Sequence, residues 1–231
     1  MTPESSYDAL CVGTHPDDVE IGMGATVAKM VREGMKVAIV DLTNGEPTPH
    51  GSVEKRAAES AEAARILGVS RRTLSQPNRY LFDTVAARCE LAEVMRELRP
   101  RMLFVPYAED AHPDHIAASQ IAIAARFYSK FTKTTMSGEP FYPPRVYRYM
   151  AVHMRVVAQP SFIVDVTDDL ATKFAAVAAY ESQFSVNPKN DGLIALVEQS
   201  AASWGALGQV GAGEPFFSLE PLAIRSLGDL L

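Results

Sequence analysis

Residues 11–24, CVGTHPDDVEIGMG, place a histidine, a proline and two aspartates directly after an apolar run. Residues 8–14 are rich in β-forming side chains and predict a strand. Residues 22–33 carry an apolar stripe at helical spacing that ends at Gly34, so they predict a helix. The ionisable side chains therefore follow the end of a strand, which is where open parallel α/β sheets bind their ligands.

The order of strand and helix continues along the chain. Further strands are predicted at residues 36–43, 72–75, 101–106, 145–152 and 161–166, and further helices at 53–67, 84–98, 115–130, 168–181 and 190–204. The stretch EPFFSLEPLAI (214–224) is predicted to be a tail. Strands that alternate with helices give βαβ units and a mainly parallel sheet covered on both faces. We therefore expect an α/β fold, a single Rossmann-like three-layer domain over residues 1–231, with its active site at the C-terminal ends of the strands.

The composition argues against several classes of protein. Hydrophobic residues make up 47% of the 231 residues, which is enough for the core of one large domain. A formal net charge of −6 without a Lys/Arg cluster argues against nucleic acid as a partner. Cys11 and Cys89, the two cysteines, cannot build a disulfide framework or a Cys-rich zinc site. No signal peptide and no apolar run near the ~18 residues of a transmembrane helix is recognisable, so we predict a cytoplasmic protein.

A second group of ionisable residues follows the strand predicted at 101–106. The segment AEDAHPDH (108–115) carries two histidines spaced H-x-x-H and shares the letters HPD with the first turn. Two imidazoles and one carboxylate are the usual open ligand set for a catalytic divalent ion. We predict that His15, Asp18 and His115 bind zinc, and Fe(II), Mn(II) or Co(II) would also suit these ligands.

Some of these side chains also have structural interpretations. Asp17 or Asp18 could accept backbone N–H bonds at a helix N-terminus, and HPDHIAAS could be a loop before a capped helix. Two matching segments together favour the metal site, because imidazoles and carboxylates that converge away from water are otherwise costly to bury. His50, in the polar segment PTPHGS, is predicted to be solvated. His153 follows a predicted strand, and both a substrate contact and a structural role stay open for it.

The residues beside the predicted ligands suit hydrolysis of an amide or ester. A metal ion lowers the pKa of a bound water to about 7 and so makes hydroxide available at neutral pH. Asp17 is predicted to act as general base on that water and then as acid toward the leaving amine. His112 is predicted to donate to the oxyanion if protonated, with Asp114 orienting it or raising its pKa.

Segments along nearly the whole chain resemble the LmbE-like, PIG-L-type N-acetylglucosaminyl de-N-acetylases. They are HPDDVEIGMGATVAK (15–29), DLTNGEPTPHGSVEKRAAESAEAARILG (41–68), PYAEDAHPDHIAAS (106–119), PSFIVDVTD (160–168), AYESQF (179–184) and EPFFS (214–218). The resemblance implies the same three zinc ligands and the same roles for Asp17, His112 and Asp114. It also implies a small N-acetylglucosaminyl conjugate as substrate and a homo-oligomer, a trimer or hexamer, as the assembly.

Within that family the chain is most similar to the branch that deacetylates N-acetylglucosaminyl-malate in bacillithiol biosynthesis, judged from DVEIGMGATVAK and AEAARILG. Chitobiose, antibiotic and inositol-linked conjugates are the alternative substrates. The similarity implies that Glu46 and Arg56 lie near the substrate, where Arg56 could pair with a malate carboxylate or instead form a surface salt bridge. Many relatives have Pro-Asp after the third strand, where this chain reads QPNRYL with Asn78 in place of the aspartate, and we predict that Asn78 and Arg79 contact the substrate. Asn78 can hydrogen-bond a sugar hydroxyl, but it cannot act as a base.

Three other functions stay open. Gly22, Gly24 and Asp41 lie roughly as in a Rossmann-type nucleotide or S-adenosylmethionine site. The glycine pattern is incomplete, however, and the carboxylates of Asp17 and Asp18 would repel a pyrophosphate. A non-haem Fe(II) oxygenase also uses two histidines and a carboxylate, although usually on an all-β barrel. A sugar-binding protein without catalysis would not need Asp17 beside the metal.

Overall fold

A seven-stranded sheet forms the centre of the protein. The computed structural model describes residues 7–151, 153, 158–186, 190, 192–223 and 226. The strands are β1 (Tyr7–Gly13), β2 (Val37–Thr43), β3 (Ser70–Gln76), β4 (Pro100–Pro106), β5 (Arg145–Tyr149), β6 (Phe162–Asp165) and β7 (Gly213–Ser218). The helices are α1 (Asp18–Arg32), α2 (Val53–Leu67), α3 (Val85–Leu98), α4 (Pro113–Tyr128), α5 (Leu170–Ala178), α6 (Glu181–Phe184) and α7 (Leu193–Gly208).

The sheet is mainly parallel, and its strand order is β3-β2-β1-β4-β5-β7-β6. β1 pairs in parallel with β2 and β4, β2 with β3, and β4 with β5, whereas β7 runs antiparallel to both of its neighbours. The predicted α/β fold with a mainly parallel sheet is therefore confirmed. Because β1 and β4 are neighbours, the turn after β1 and the turn after β4 lie side by side at the carboxyl edge of the sheet.

Helices cover both faces of the sheet. Every residue of β2 is buried, as expected of a parallel strand between two helical layers. Successive side chains of a strand point to opposite faces. Leu10 and Val12 of β1 accordingly belong to the apolar layer under α3 and α4, whereas Ala9 and Cys11 belong to the layer under α1 and α2. Among the described residues, no helix combines the length and the apolar character needed to cross a membrane.

The C-terminal part of the chain differs from the prediction. The predicted tail at 214–224 contains all but the first residue of β7, which is inserted between β5 and β6. The strand contains a charged residue and a proline, Glu214 and Pro215, so it lacks the hydrophobic pattern by which strands are predicted. Its pairing with β5 and β6 depends on tertiary structure. The helix predicted at 168–181 is shorter: α5 ends at Ala178, and α6 is a separate helix that lies almost entirely beyond the predicted range.

Other boundaries moved by a few residues. The first helix, predicted from residue 22, begins at Asp18, so the HPDD turn leads directly into α1. The fifth strand, predicted to reach residue 152, ends at Tyr149. Residues 152, 191 and 224, at the edges of predicted segments, lie outside the described residues.

Glu214→Ala is expected to lower the free energy of unfolding by about 3–5 kcal/mol. The buried Glu214 carboxylate accepts hydrogen bonds from Lys173 Nζ at 2.6 Å, from Thr26 Oγ1 at 2.6 Å and from the Thr26 N–H at 2.7 Å. Its removal leaves the Lys173 ammonium buried without a counter-charge. Urea unfolding measures the change, with the exposed Glu198→Ala of α7 as matched control. Equal stability of the two variants would contradict the prediction.

Candidate metal centre and active site

Three side chains converge beyond the carboxyl ends of β1 and β4. His15 follows β1, Asp18 begins α1, and His115 lies in the first turn of α4. His115 Nε2 lies 3.3 Å from His15 Nδ1 and 3.4 Å from Asp18 Oδ1, and His15 Nδ1 lies 3.5 Å from Asp18 Oδ2. A tetrahedron with metal–ligand bonds of about 2.0–2.1 Å has edges of about 3.3 Å. The three predicted ligands are therefore close enough to share one divalent ion, with Asp18 facing His115 through Oδ1 and His15 through Oδ2.

Backbone N–H groups orient the Asp18 carboxylate. Its Oδ2 accepts hydrogen bonds from the N–H of Thr14 at 3.1 Å and of His15 at 2.8 Å. Both donors precede the helix, so Asp18 binds back to the turn and leaves Oδ1 on the side of His115. Asp17, at the N-cap position of α1, makes no capping bond with its side chain. The two aspartates thus do not have the helix-capping role that their sequence also allowed.

A carboxylate lies behind each of the two histidines. His115 Nδ1 lies 2.6 Å from Asp110 Oδ2, and His15 Nε2 lies 3.5 Å from Asp114 Oδ2. Metal-binding histidines usually place their second nitrogen against such an acceptor, which fixes the ring and the tautomer. Asp110 was not assigned a role from the sequence, although it belongs to the same segment AEDAHPDH. The only sequence signal for a role of Asp110 beside the metal ligands was its position five residues before His115.

The carboxylates around the histidines favour a positive charge at this point. Burial opposes protonation of His15, but its interactions with Asp114 and Asp18 raise its pKa to about 10. Burial likewise opposes ionisation of Asp18, but the imidazoles of His115 and His15 hold its pKa well below the ordinary value. Both pKa changes indicate that the acidic side chains of this cluster stabilise a positive charge between them. A divalent ion would supply that charge in place of protons on the imidazoles.

Asp17 adopts a strained backbone conformation at the mouth of this cluster. Its φ of 116° lies in the left-handed region, which costs a non-glycine residue about 1–3 kcal/mol. Its Oδ2 accepts a hydrogen bond from Arg56 Nη1 at 3.3 Å. Burial raises the pKa of the Asp17 carboxyl to about 7, against the opposing effect of the Arg56 guanidinium. A carboxyl with a pKa near neutrality suits a group that must both take and return a proton.

His112 is held by the backbone of α4. Its Nδ1 accepts a hydrogen bond from the Asp114 N–H at 3.2 Å, so the neutral ring carries its proton on Nε2. Burial and the neighbouring His15 and His115 lower the pKa of His112, and the opposing effect of Asp114 is smaller. Asp114 thus raises this pKa as expected, but burial and the two histidines outweigh it, so the pKa of His112 is lowered overall. A neutral His112 can still donate one hydrogen bond from Nε2, and the Asp114 carboxylate is used instead by the N–H groups of Arg79 and Leu81.

A cavity of about 490 Å³ opens onto the cluster. Its lining includes the predicted substrate residues Arg56, Asn78 and Arg79, together with Asp17 and His153. Glu46 is not among the lining residues, because its carboxylate accepts two hydrogen bonds from Thr48 in its own loop. Most of the predicted site residues thus line one cavity, whereas Glu46 and the buried Asp114 and His115 are not among its lining residues.

The other two histidines differ in position. His50 is exposed, as predicted. His153 lines the cavity with a side chain that is 59% exposed, and its N–H donates to Asp110 Oδ1 at 2.9 Å. Its ring lies 5.0 Å from that of His115. His153 therefore connects the wall of the cavity to the carboxylate behind a predicted ligand.

Asp41, which a Rossmann-type site would offer to a ribose, is not accessible to a ligand. It is fully buried, and both of its oxygens accept hydrogen bonds from Arg71, at 2.7 and 2.8 Å. Glu20 lies on the same guanidinium. This arrangement argues against the nucleotide-binding alternative, since the carboxylate at the end of β2 is already neutralised inside the protein.

Comparison with known proteins gives relatives along most of the chain. The family model PIG-L, described as GlcNAc-PI de-N-acetylase, matches residues 10–126. Diacetylchitobiose deacetylase from Thermococcus kodakarensis is 30% identical over 191 residues, which cover 76% of this chain and 69% of that protein. Conserved protein TT1542 from Thermus thermophilus is 40% identical and superposes with a TM-score of 0.87 over 94% of this chain and 97% of that one.

The fold alone does not determine the reaction. GalB, the 4-carboxy-2-hydroxymuconate hydratase of Pseudomonas putida KT2440, superposes with a TM-score of 0.83 at 20% identity over 96% of this chain and 99% of that one. Family membership depends instead on the sequence match, which includes both HPD segments and about half of the chain. The chain belongs to the PIG-L family.

Proposed function

We propose that this protein is a zinc-dependent hydrolase that removes the N-acetyl group from an N-acetylglucosaminyl conjugate. The observation that carries the proposal is the convergence of His15, Asp18 and His115, whose nearest nitrogen and oxygen atoms lie 3.3–3.5 Å apart pair by pair, beside Asp17. Membership of the PIG-L family supports the same reaction. Zinc is the first choice of metal because two imidazoles and one carboxylate form its usual catalytic ligand set, and Fe(II) would suit the same atoms.

The residues of the site divide the chemistry between them. When bound, zinc supplies a nucleophile, because it lowers the pKa of a bound water molecule to about 7. Asp17 takes a proton from the attacking water and later returns it to the amine that leaves. His112, with its proton on Nε2, donates a hydrogen bond to the oxygen of the acetyl group as negative charge develops there. Asp110 and Asp114 keep the rings of His115 and His15 in place.

The finer assignment of the substrate is N-acetylglucosaminyl-malate, as the sequence resemblance implies. Its carboxylates need a cation on the cavity wall, and exposed Arg79 offers one. Asn78, also on that wall, can hydrogen-bond a sugar hydroxyl. The cytoplasmic location and the trimeric or hexameric assembly stay predictions.

Acetate release from a panel of conjugates tests this function. The panel contains N-acetylglucosaminyl-malate, diacetylchitobiose and an inositol conjugate of N-acetylglucosamine. Each is incubated with metal-free, zinc-loaded and Fe(II)-loaded protein. We expect acetate and a free amine only with loaded protein, and most rapidly with the malate conjugate. Equal rates with metal-free protein would reject the metal requirement, and no acetate from any conjugate would reject the deacetylase function.

Asp110→Asn is expected to weaken zinc binding about 10–100-fold. The amide cannot replace the carboxylate that lies 2.6 Å from His115 Nδ1, so the ring loses its fixed tautomer and part of its basicity as a ligand. Competition with a chromogenic chelator measures the dissociation constant. The exposed neighbour Glu109→Gln is the matched control. Equal affinity of the two variants would show that Asp110 does not support the ligand.

A further inference from the structure

The guanidinium of Arg56 is used inside the HPDD turn. Arg56 is 2% exposed, and its Nη2 donates to the Pro16 carbonyl at 2.5 Å while its Nη1 donates to Asp17 Oδ2 at 3.3 Å. We propose that Arg56 is a positioning residue that fixes the Asp17 carboxylate, and that it does not receive a carboxylate of the substrate. This inference rests on the proposed function, because it assigns the residue that holds the proposed base.

The turn needs such support because Asp17 is strained. Its φ of 116° is one that side-chain-bearing residues rarely adopt, and its own side chain does not cap α1. Arg56 binds the carbonyl before this residue and the carboxylate of the residue itself. One rigid planar group therefore fixes both the backbone and the side chain of the turn. Without it, Asp17 can relax toward an ordinary φ and carry its carboxylate away from the attacking water.

Neighbouring residues restrict the movement of the Arg56 guanidinium, of which little is exposed at the cavity wall. The Arg56 Cζ lies 5.3 Å from the centre of the Tyr180 ring, which packs against one side of the guanidinium. On another side lies Gly45, where a Cβ would come within 2.9 Å of Arg56 Nη2. Arg56 Nε lies 3.9 Å from Glu46 Oε1. Its Nη1 and Nη2 are already engaged by the HPDD turn, so a substrate carboxylate would compete with Asp17 and the Pro16 carbonyl for this guanidinium.

Arg79 is the contrasting arginine of the same cavity. It is exposed, and its Nη2 donates to the Pro47 carbonyl at 2.7 Å. No ion pair engages it within the described part of the chain. Arg79 can therefore meet an anionic group of a substrate without disturbing the HPDD turn. The two arginines thus give opposite kinetic expectations.

The Arg56→Gln variant of the zinc-loaded protein separates the two roles. We expect kcat to fall about 10²-fold, the cost of a misplaced catalytic group, while KM for the preferred conjugate stays unchanged. Zinc content and the calorimetric Kd for glucosamine are also expected to stay unchanged. Arg56→Ala is expected to regain part of its kcat when guanidinium ion is added, and Arg56→Lys to keep more activity than Arg56→Gln. Arg79→Gln is expected to raise KM for the malate conjugate with kcat maintained.

Arg65→Gln is the matched control, because Arg65 is an exposed arginine on the same helix and pairs only with Glu62 among the described residues. It is expected to leave kcat, KM and zinc content unchanged. A raised KM with normal kcat in Arg56→Gln would overturn the inference in favour of substrate binding, and loss of zinc would overturn it in favour of support for the metal site. A wild type without acetate release would count against the proposed function. An active wild type with an equally active Arg56→Gln variant would count against this inference alone.

Discussion

Asp17→Asn is expected to lower kcat for deacetylation about 10²–10⁴-fold, the usual contribution of a general acid–base group, without loss of bound metal. Asparagine has nearly the size of aspartate and tolerates the left-handed conformation that this position requires, so the turn is expected to survive the change. The amide cannot take a proton from water or return one to an amine. Acetate release at saturating substrate measures kcat, and elemental analysis measures the metal.

The expected loss of activity depends on the burial of the Asp17 carboxyl, which changes its pKa. Burial raises its pKa to about 7, so near neutrality both its protonated and its ionised forms are populated. The exposed Asp168→Asn serves as the matched control and is expected to behave as wild type. Undiminished turnover by Asp17→Asn would remove the role of general base. Loss of metal in that variant would show instead that Asp17 supports the ligands.

Asp18→Ala is expected to abolish both metal binding and deacetylation. The variant loses the only carboxylate of the three predicted ligands, and the N–H groups of Thr14 and His15 lose their acceptor. Because a ligand is removed outright, the loss of zinc affinity is expected to exceed the about 10–100-fold effect of changing the carboxylate behind a ligand. Elemental analysis after dialysis against zinc measures the content, and acetate release is compared with that of metal-free wild type.

Two further variants serve as controls for the metal loss expected of Asp18→Ala. Asp18→Asn keeps an oxygen for the two N–H groups but loses the negative charge, so it is expected to keep its folded structure and still bind zinc weakly. Asp168→Ala, an exposed aspartate, is expected to keep its full metal content. A stoichiometric, tightly held zinc ion in Asp18→Ala would show that this residue is not a ligand.

The sequence predicted the parts of the site that depend on local order. A strand followed by HPDD, and another followed by HPDH, place His15, Asp18 and His115 at one edge of a parallel sheet whatever the details of packing. The alternation of strands and helices predicted the parallel part of the sheet for the same reason. These features are repeated along the chain, so a pattern can detect them.

Features that depend on contacts between distant segments were not predictable in this way. The interaction of Arg56 with Asp17 joins residues on α2 and on the turn after β1, and an arginine on a helix usually indicates only a solvated side chain. The role of Asp110 depends on the angle at which α4 begins. The proton position on His112 depends on one backbone bond within the first turn of that helix. β7 was missed because its sequence carries no alternating strand pattern, and it is a strand because it pairs with β5 and β6.

The place of β7 in the sheet has a consequence for synthesis of the protein. Among the described strands, β6 lies at an edge with β7 as its one neighbour, although residues 166–212 separate the two along the chain. While the ribosome is still adding those residues, the nascent chain holds β6 without a partner and leaves one side of β5 open. Contacts between segments so far apart form slowly, and unpaired strand edges invite association with other chains. The last of these strands to be made therefore closes the sheet, and a nascent chain that stalls before Gly213 leaves β6 and one side of β5 unpaired.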